Sequence, residues 1–313
     1  MSSKTGEMTR AVCLLFVALT VLNACASSVA DRRRGASLSA VRGGGGGGGA
    51  AITVARCSSA LFCDDFESYG IDSVPGKPWS NTMNGGTLAI DATHAHSGTR
   101  SVKINAAKAN GYRSVLLSLQ PDAFLPTLGN AIYGRMMFWL SSAPATSVHW
   151  TFVAAEGMVP GQSYHAVYRY GGHLPLKDGA DFVGSQLMAS YETPDSYATP
   201  AVGVSSDCWV HSDKRIVPVA TWSCAEWRFD GTSNQLQFWL NGEEITSLAV
   251  TGTGQSCMHQ PASFPWSAPR FERIDLGWES YTADDARTIW IDDVAIGAQR
   301  VGCPESVRAD TNK

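Results

Sequence analysis

Four residues carry the side-chain types that hold charge and exchange protons at spacings worth pursuing. They are His165 and Arg169 in YHAVYRYGG, Gln186 in SQLMASYET and Tyr281 in LGWESYT. Because side chains alternate along a strand, His165 and Arg169 share one face and Tyr168 and Tyr170 the other. Gln186 shares its face with Met188 and Ser190. His149 and His211 are further histidines, and Trp278 and Glu279 stand beside Tyr281. Such residues suit positioned proton transfer beside a stabilised charge. The plainer alternative is a solvated face at His165 and Arg169, with the tyrosines in a core.

The elements that must position them are short strands. The clearest pair is TWSCAEWRFDGTSNQLQFWLNGEEI, from Thr221 to Ile245, which reads as a β-hairpin. Ala225, Trp227 and Phe229 share one face of its first strand, and Leu236, Phe238 and Leu240 one face of its second. Asp230, Gly231, Ser233 and Asn234 supply turn chemistry, and Asn241-Gly242 signals another tight turn. The opposite face, with Glu226, Arg228, Gln237 and Trp239, is expected to form a groove wall. Similar alternation recurs from Leu61 to Ile296 between Gly, Pro and Asn turns, without helices between the strands. That pattern predicts an all-β, antiparallel two-sheet β-sandwich in one domain over 57–304.

Other chemistries fit poorly. A glycoside hydrolase needs two carboxylates about 5 to 10 Å apart, and Glu226 and Asp230 lie four strand residues apart, roughly 13 Å. No GxSxG elbow, P-loop, HExxH or GxGxxG in a suitable context occurs. From Cys57 onward the chain has 17 Lys plus Arg against 26 Asp plus Glu, a net charge of −9. That excludes the basic footprint of a nucleic-acid binder.

Residues 1–24 read as a lipoprotein signal peptide, with Lys4 and Arg10 before an apolar run from Ala11 to Leu22 that is too short to span a bilayer. Leu22-Asn23-Ala24-Cys25 resembles a bacterial lipobox, which makes Cys25 the expected lipidated residue. Residues 25–56, with Arg32, Arg33, Arg34 and seven glycines from Gly43 to Gly49, read as a flexible tether spanning about 30 Å. Residues 305–313 read as a disordered tail. The expected location is an outer membrane or cell-surface lipoprotein, or a secreted protein, touching membrane through the lipid anchor only; a monomer is expected. Cys57, Cys63, Cys208, Cys224, Cys257 and Cys303 suggest disulfides in an exported chain, with about 15 pairings open.

Four segments together resemble the concanavalin A-like jelly-roll group of lectins, laminarinases and polysaccharide lyases: CDDFESY (Cys63 to Tyr69), HSGTRSVKI (His96 to Ile104), EWRFDG with FWLNGEEI, and IWIDDVAIG (Ile289 to Gly297). Within it the chain is most similar to the Cip-like core-domain family, named for a fungal cellulose-induced protein related to glucuronan lyases. The resemblance implies a jelly roll and a structural calcium ion joining the first and last strands, held by Glu67, Ser97 and Asp292 or Asp293; carboxylates are suitable hard-oxygen ligands. It also implies β-elimination on a uronic-acid-containing polysaccharide, with Arg169 and Gln186 for the carboxylate and His165 and Tyr281 as base and acid. Arg135, Trp139, Arg228, Gln237, Trp239 and Trp278 are expected to bind substrate. The alternative is a non-catalytic, lectin-like surface lipoprotein that stacks sugars on tryptophans.

Overall fold

Alternation along the hairpin sets the packing of the sheet around it. In the computed structural model, which describes residues 57, 60–120, 124–193, 206–258, 260–261 and 263–304, Trp227 faces Phe238 and Phe229 faces Leu236 across the hairpin. These four side chains are buried. Trp227 also pairs with Gly134 on the next strand, where a Cβ would fall 2.0 Å from the indole. Glycine there leaves room for the Trp227 indole.

The first strands are β1 (Phe62–Asp64), β2 (Trp79–Asn84), β3 (Gly86–Asp91), β4 (Ser101–Ala106), β5 (Arg113–Leu119) and β6 (Ala131–Leu140). There follow β7 (Trp150–Met158), β8 (His165–Asp178), β9 (Asp181–Thr193), β10 (Ser206–Ile216), β11 (Trp222–Asp230) and β12 (Gln235–Leu240). The last are β13 (Glu243–Glu244), β14 (Val250–Thr251), β15 (Ser256–Met258), β16 (Arg273–Ser280) and β17 (Arg287–Gly297). One sheet runs β13-β12-β11-β6-β17-β4-β3, with β1 on β17 and β14 on β12; the other runs β15-β10-β9-β8-β7-β16-β5-β2. Every strand pairing is antiparallel. The two sheets make the expected sandwich.

Between the sheets lies one continuous apolar core that includes Trp150, Trp227, Trp266 and Trp278. Burial of this kind stabilises by about 25 cal/mol per Å² of apolar surface. Of the pairings open to the six cysteines, the fold selects Cys57–Cys63, Cys208–Cys257 and Cys224–Cys303. The second joins β10 to β15, and the third ties β11 to the segment after β17. The expected signal peptide, tether, lipidated Cys25 and C-terminal tail lie outside the described residues, and no described helix is long and apolar enough to cross a membrane.

Candidate functional site

The second sheet keeps its polar side chains on its outer face, because Trp150, Tyr168, Tyr170, Leu187, Tyr191, Leu276 and Trp278 occupy the inner one. On β16 this puts Asp275 and Glu279 outward, with Tyr281 just beyond the strand. On β8 it puts Val167 and Arg169 outward, and on β9 Glu192. These residues, with Tyr112, Thr151, Glu156 and Arg273, line a groove of about 390 Å³.

Arg169 organises the groove. Its guanidinium is ion-paired to Glu192 at 2.8 Å and to Glu279, and lies 5.5 Å from the centre of the Tyr281 ring. Glu279 accepts hydrogen bonds from the hydroxyls of Tyr112 and Tyr281, each at 2.7 Å. Burial alone would raise the Glu279 carboxyl, but Arg169 and the two phenols outweigh it and hold it below its ordinary value. Burial opposes the charge on Arg169 too, and Glu192 and Glu279 overcome it. The Tyr281 phenol is pushed well above 10, chiefly by burial. At neutral pH, Tyr281 is therefore a proton donor beside a fixed cation.

His149 immediately precedes β7 and packs its ring on Tyr281 at 4.7 Å, while its carbonyl accepts from the Tyr281 amide at 3.2 Å. Its Nδ1 lies 3.8 Å from Oδ2 of Asp207 on β10, and its enclosed Nε2 has no partner. Burial, followed by the charges of Arg169, His173 and His211, lowers the His149 pKa to about 3, so the ring is neutral. Asp207 is raised to about 6 by burial and by Glu192, with Arg169 pulling against them. His173 stacks on His211 at 5.6 Å and continues the row away from His149.

Of the four residues singled out for chemistry, the structure brings Arg169 and Tyr281 together. His165 opens β8 on the same face as Arg169, but opposite Met158 and outside the groove lining. Gln186 is buried on β9 and donates to the Ser212 carbonyl, also outside the lining. Glu279 joins them in the lining, while His149 and Asp207 pack behind Tyr281 and outside it; the sequence marks His149 and Glu279 only by residue type. Tyr112, Glu192 and Asp207 carried no signal, since cross-strand neighbours depend on register.

The expected substrate-binding set needs correction. Trp278 is fully buried and stacks on Trp150 at 4.8 Å, because alternation sends it inward when Glu279 faces the groove. Arg135, Trp139, Arg228, Gln237 and Trp239 lie on the outer face of the other sheet. There Arg135 donates to the carbonyls of Asp293 and Gly302, and Trp139 packs on Trp290 and His94. Arg228 holds Asp230 and Gln237, and Arg300 covers Trp239 at 4.5 Å. The polar face of the hairpin is thus not a wall of this groove.

The residues expected at calcium gather at one loop. Asp292 accepts from the amides of His96, Ser97 and Asp293 at 2.8, 3.0 and 2.7 Å. Asp293 accepts from the Ser97 hydroxyl at 2.8 Å and meets His96 Nδ1 at 2.6 Å. Both carboxylates are buried, and two adjacent buried carboxylates with a hydroxyl fit a hard cation. Glu67 instead accepts from the amides of Thr99 and Arg100, each at 2.7 Å. Among the described residues, the only three His, Cys, Asp or Glu ligand atoms within 4.8 Å of one another belong to Cys224, Glu226 and Cys303, whose sulfurs form a disulfide. Glu67 thus holds the other end of the same loop by hydrogen bonds.

The family model for the Cip1-like core domain of polysaccharide lyase-like proteins matches residues 65–299, and the chain belongs to that family. The family is carbohydrate-active in kind. Among solved structures, the cellulose-induced protein Cip1 shares 24% identity at a TM-score of 0.52, over 78% of this chain and 100% of that one. An endo-β-1,4-glucuronan lyase from the fungus Trichoderma reesei shares 14% identity at a TM-score of 0.47, over 77% of this chain and 96% of that one. No curated protein matches the sequence.

Proposed function

We propose that the groove acts on a uronic-acid-containing polysaccharide by β-elimination. The observation that carries this reading is the contact of Tyr281 with both Arg169 and His149. Arg169 faces the sugar carboxyl group. Tyr281 takes the C5 proton as its own passes to the His149–Asp207 pair behind it, the C5–H electrons form the C4–C5 double bond, and the C4–O bond breaks with its electrons going to oxygen. That oxygen takes the Tyr281 proton, and His149 returns a proton to Tyr281 across their contact. A proton donor and acceptor held at one reacting centre is what such a step requires.

Incubation with glucuronan, alginate and related uronans is expected to produce unsaturated ends that absorb in the ultraviolet. No signal across the panel, with each polymer offered both as free acid and as ester, overturns the reading. One observation favours a second reading, a glycan-binding module: Arg169 and Arg273 are both already paired with groove carboxylates. Binding on a glycan array without any ultraviolet signal selects it.

We extend the proposal to a structural calcium ion at Asp292, Asp293 and Ser97. Burial and the neighbouring Asp293 push the Asp292 carboxyl up to about 8; such an ion would replace its proton and fix the loop against the last strand, without entering the chemistry. The three disulfides and the family fit an extracellular protein. A lipid anchor at Cys25 is part of the same proposal; loss of fatty-acid labelling in Cys25→Ala tests it.

A further inference from the structure

The charges of the groove bear on which uronan it takes, given the elimination proposed above. Its lining carries two cations, Arg169 and Arg273, and four carboxylates, Glu156, Glu192, Asp275 and Glu279, a net charge of −2. Neither arginine is uncommitted. Arg169 pairs with Glu192 and Glu279, and Arg273 pairs with Glu156 at 2.9 Å and Asp275 at 2.9 Å. A polymer bearing one carboxylate per sugar would enter a groove that already holds more negative than positive charge. Like charges at close range disfavour that approach.

What the lining offers in surplus is hydrogen-bond donors. The neutral Thr151 hydroxyl and the Nε–H of the already paired Arg169 are enclosed polar atoms without partners. Leu116, Ala154 and Val167 supply apolar surface between the charges. An ester suits this combination. Its carbonyl accepts a hydrogen bond without needing a counter-charge, and its methyl group seats on apolar carbon.

Reactivity points the same way. Removing a proton alpha to a free carboxylate builds a second negative charge on the same group, so the enzyme must supply uncommitted positive charge there. Removal alpha to an ester builds only one, which an oriented donor can stabilise. We propose that the groove takes a methyl-esterified uronan and discriminates against the free acid. The esterified sugar loses its C5 proton and its C4–O bond as written above, and the ester itself stays intact.

The test compares polyglucuronate and polygalacturonate, each as free acid and as methyl ester, by the initial rate of ultraviolet absorbance. The ester of at least one backbone is expected to show kcat/KM about tenfold or more above its free acid. Added salt narrows that ratio by screening the groove carboxylates. Glu156→Gln, which takes one carboxylate from Arg273, is expected to narrow it too, by raising the rate on the free acid. Equal or faster cleavage of the free acid overturns the ester preference and leaves the elimination standing. No cleavage of either form overturns the elimination, and the preference with it.

Discussion

The guanidinium of Arg169 lies 5.5 Å from the centre of the Tyr281 ring, while Glu279 holds both the guanidinium and the Tyr281 hydroxyl. One carboxylate thus orients a cation and a phenol together. Its position follows from β16, where Glu279 and Tyr281 are two residues apart and so point the same way. Arg169 reaches them from β8 across the intervening β7. Pre-oriented groups of this kind lose little freedom when substrate arrives.

Replacing the phenol with a phenyl ring separates chemistry from packing. Tyr281→Phe keeps the contacts with His149 and Arg169 and removes the proton. On a cleaved uronan, kcat is expected to fall on the order of 100-fold or more. The melting temperature should change little, since the hydroxyl contributes one hydrogen bond, about 1 kcal/mol. Undiminished turnover in this variant would remove Tyr281 from the chemistry.

The pair behind Tyr281 predicts a pH profile. Asp207, raised to about 6 by burial and Glu192 against the pull of Arg169, is ionised only above that pH. His149 is neutral throughout the same range. kcat/KM is therefore expected to climb as pH rises through about 6 and then level off. Stability runs the other way for Asp207. A carboxyl whose folded pKa is raised stabilises fully below its unfolded value and loses that contribution as pH rises through about 6. Asp207→Asn should accordingly gain in melting temperature relative to the parent between about pH 4 and about pH 7. A difference that stays constant with pH contradicts this account.

How far the sequence reaches is visible in these residues. Alternation alone places Trp227, Phe229, Leu236 and Phe238 in the core, and the turn residues locate the hairpin. Four separated segments carry the family resemblance, since strand ends and their loops keep local patterns. Alternation also keeps Trp278 and Glu279 on opposite sides of β16, so only one of them can share a groove with Tyr281. What no pattern supplies is which sheet faces substrate. The hairpin's polar side and the groove's polar side are equivalent in periodicity, and only the strand order puts them on opposite surfaces. Arg169 and Tyr281 meet through two strand registers, so their partnership is a product of topology, and His165 and Gln186 share its sheet without sharing its groove.

The Cys224–Cys303 bond predicts a loss of stability separable from activity. It closes a loop with a sequence separation of 79 and pins the C-terminal segment over the outer face of the first sheet, where Arg300 also binds Glu226 at 2.7 and 3.0 Å. A loop of that length implies about 4 kcal/mol from restriction of the unfolded chain. Chemical denaturation of the Cys224→Ser, Cys303→Ser double variant should show a deficit of that order. Because the groove lies on the other sheet, its kcat well below the melting transition should match the parent. A midpoint unchanged from the parent would show that the bond contributes nothing.

Metal removal tests the loop between Glu67 and the last strand. Asp292 and Asp293 are consecutive on β17, and a positive φ of 46° at Asp293 is what lets both carboxylates approach Ser97 instead of facing opposite sides. That geometry is uncommon for a residue with a side chain, and it brings together two carboxyls, one of them raised to about 8 by burial and by its neighbour, where a hard cation would relieve their repulsion. Calcium at about a hundred times its Kd would stabilise by roughly 2.7 kcal/mol. In a domain of this size each kcal/mol moves the melting temperature by about 2 to 4 °C, so chelation should lower it by several degrees, and added calcium should restore it. Asp292→Asn is expected to melt lower and to lose the response to chelator, since one of the two carboxyl groups that would hold the ion is gone. Glu67→Gln should keep the response at a lower melting temperature, because Glu67 holds the amides of Thr99 and Arg100 at the far side of the loop. A parent protein whose melt is the same with calcium and with chelator holds no such ion, and the Asp292 pair is then a purely hydrogen-bonded clasp for the loop from His96 to Arg100.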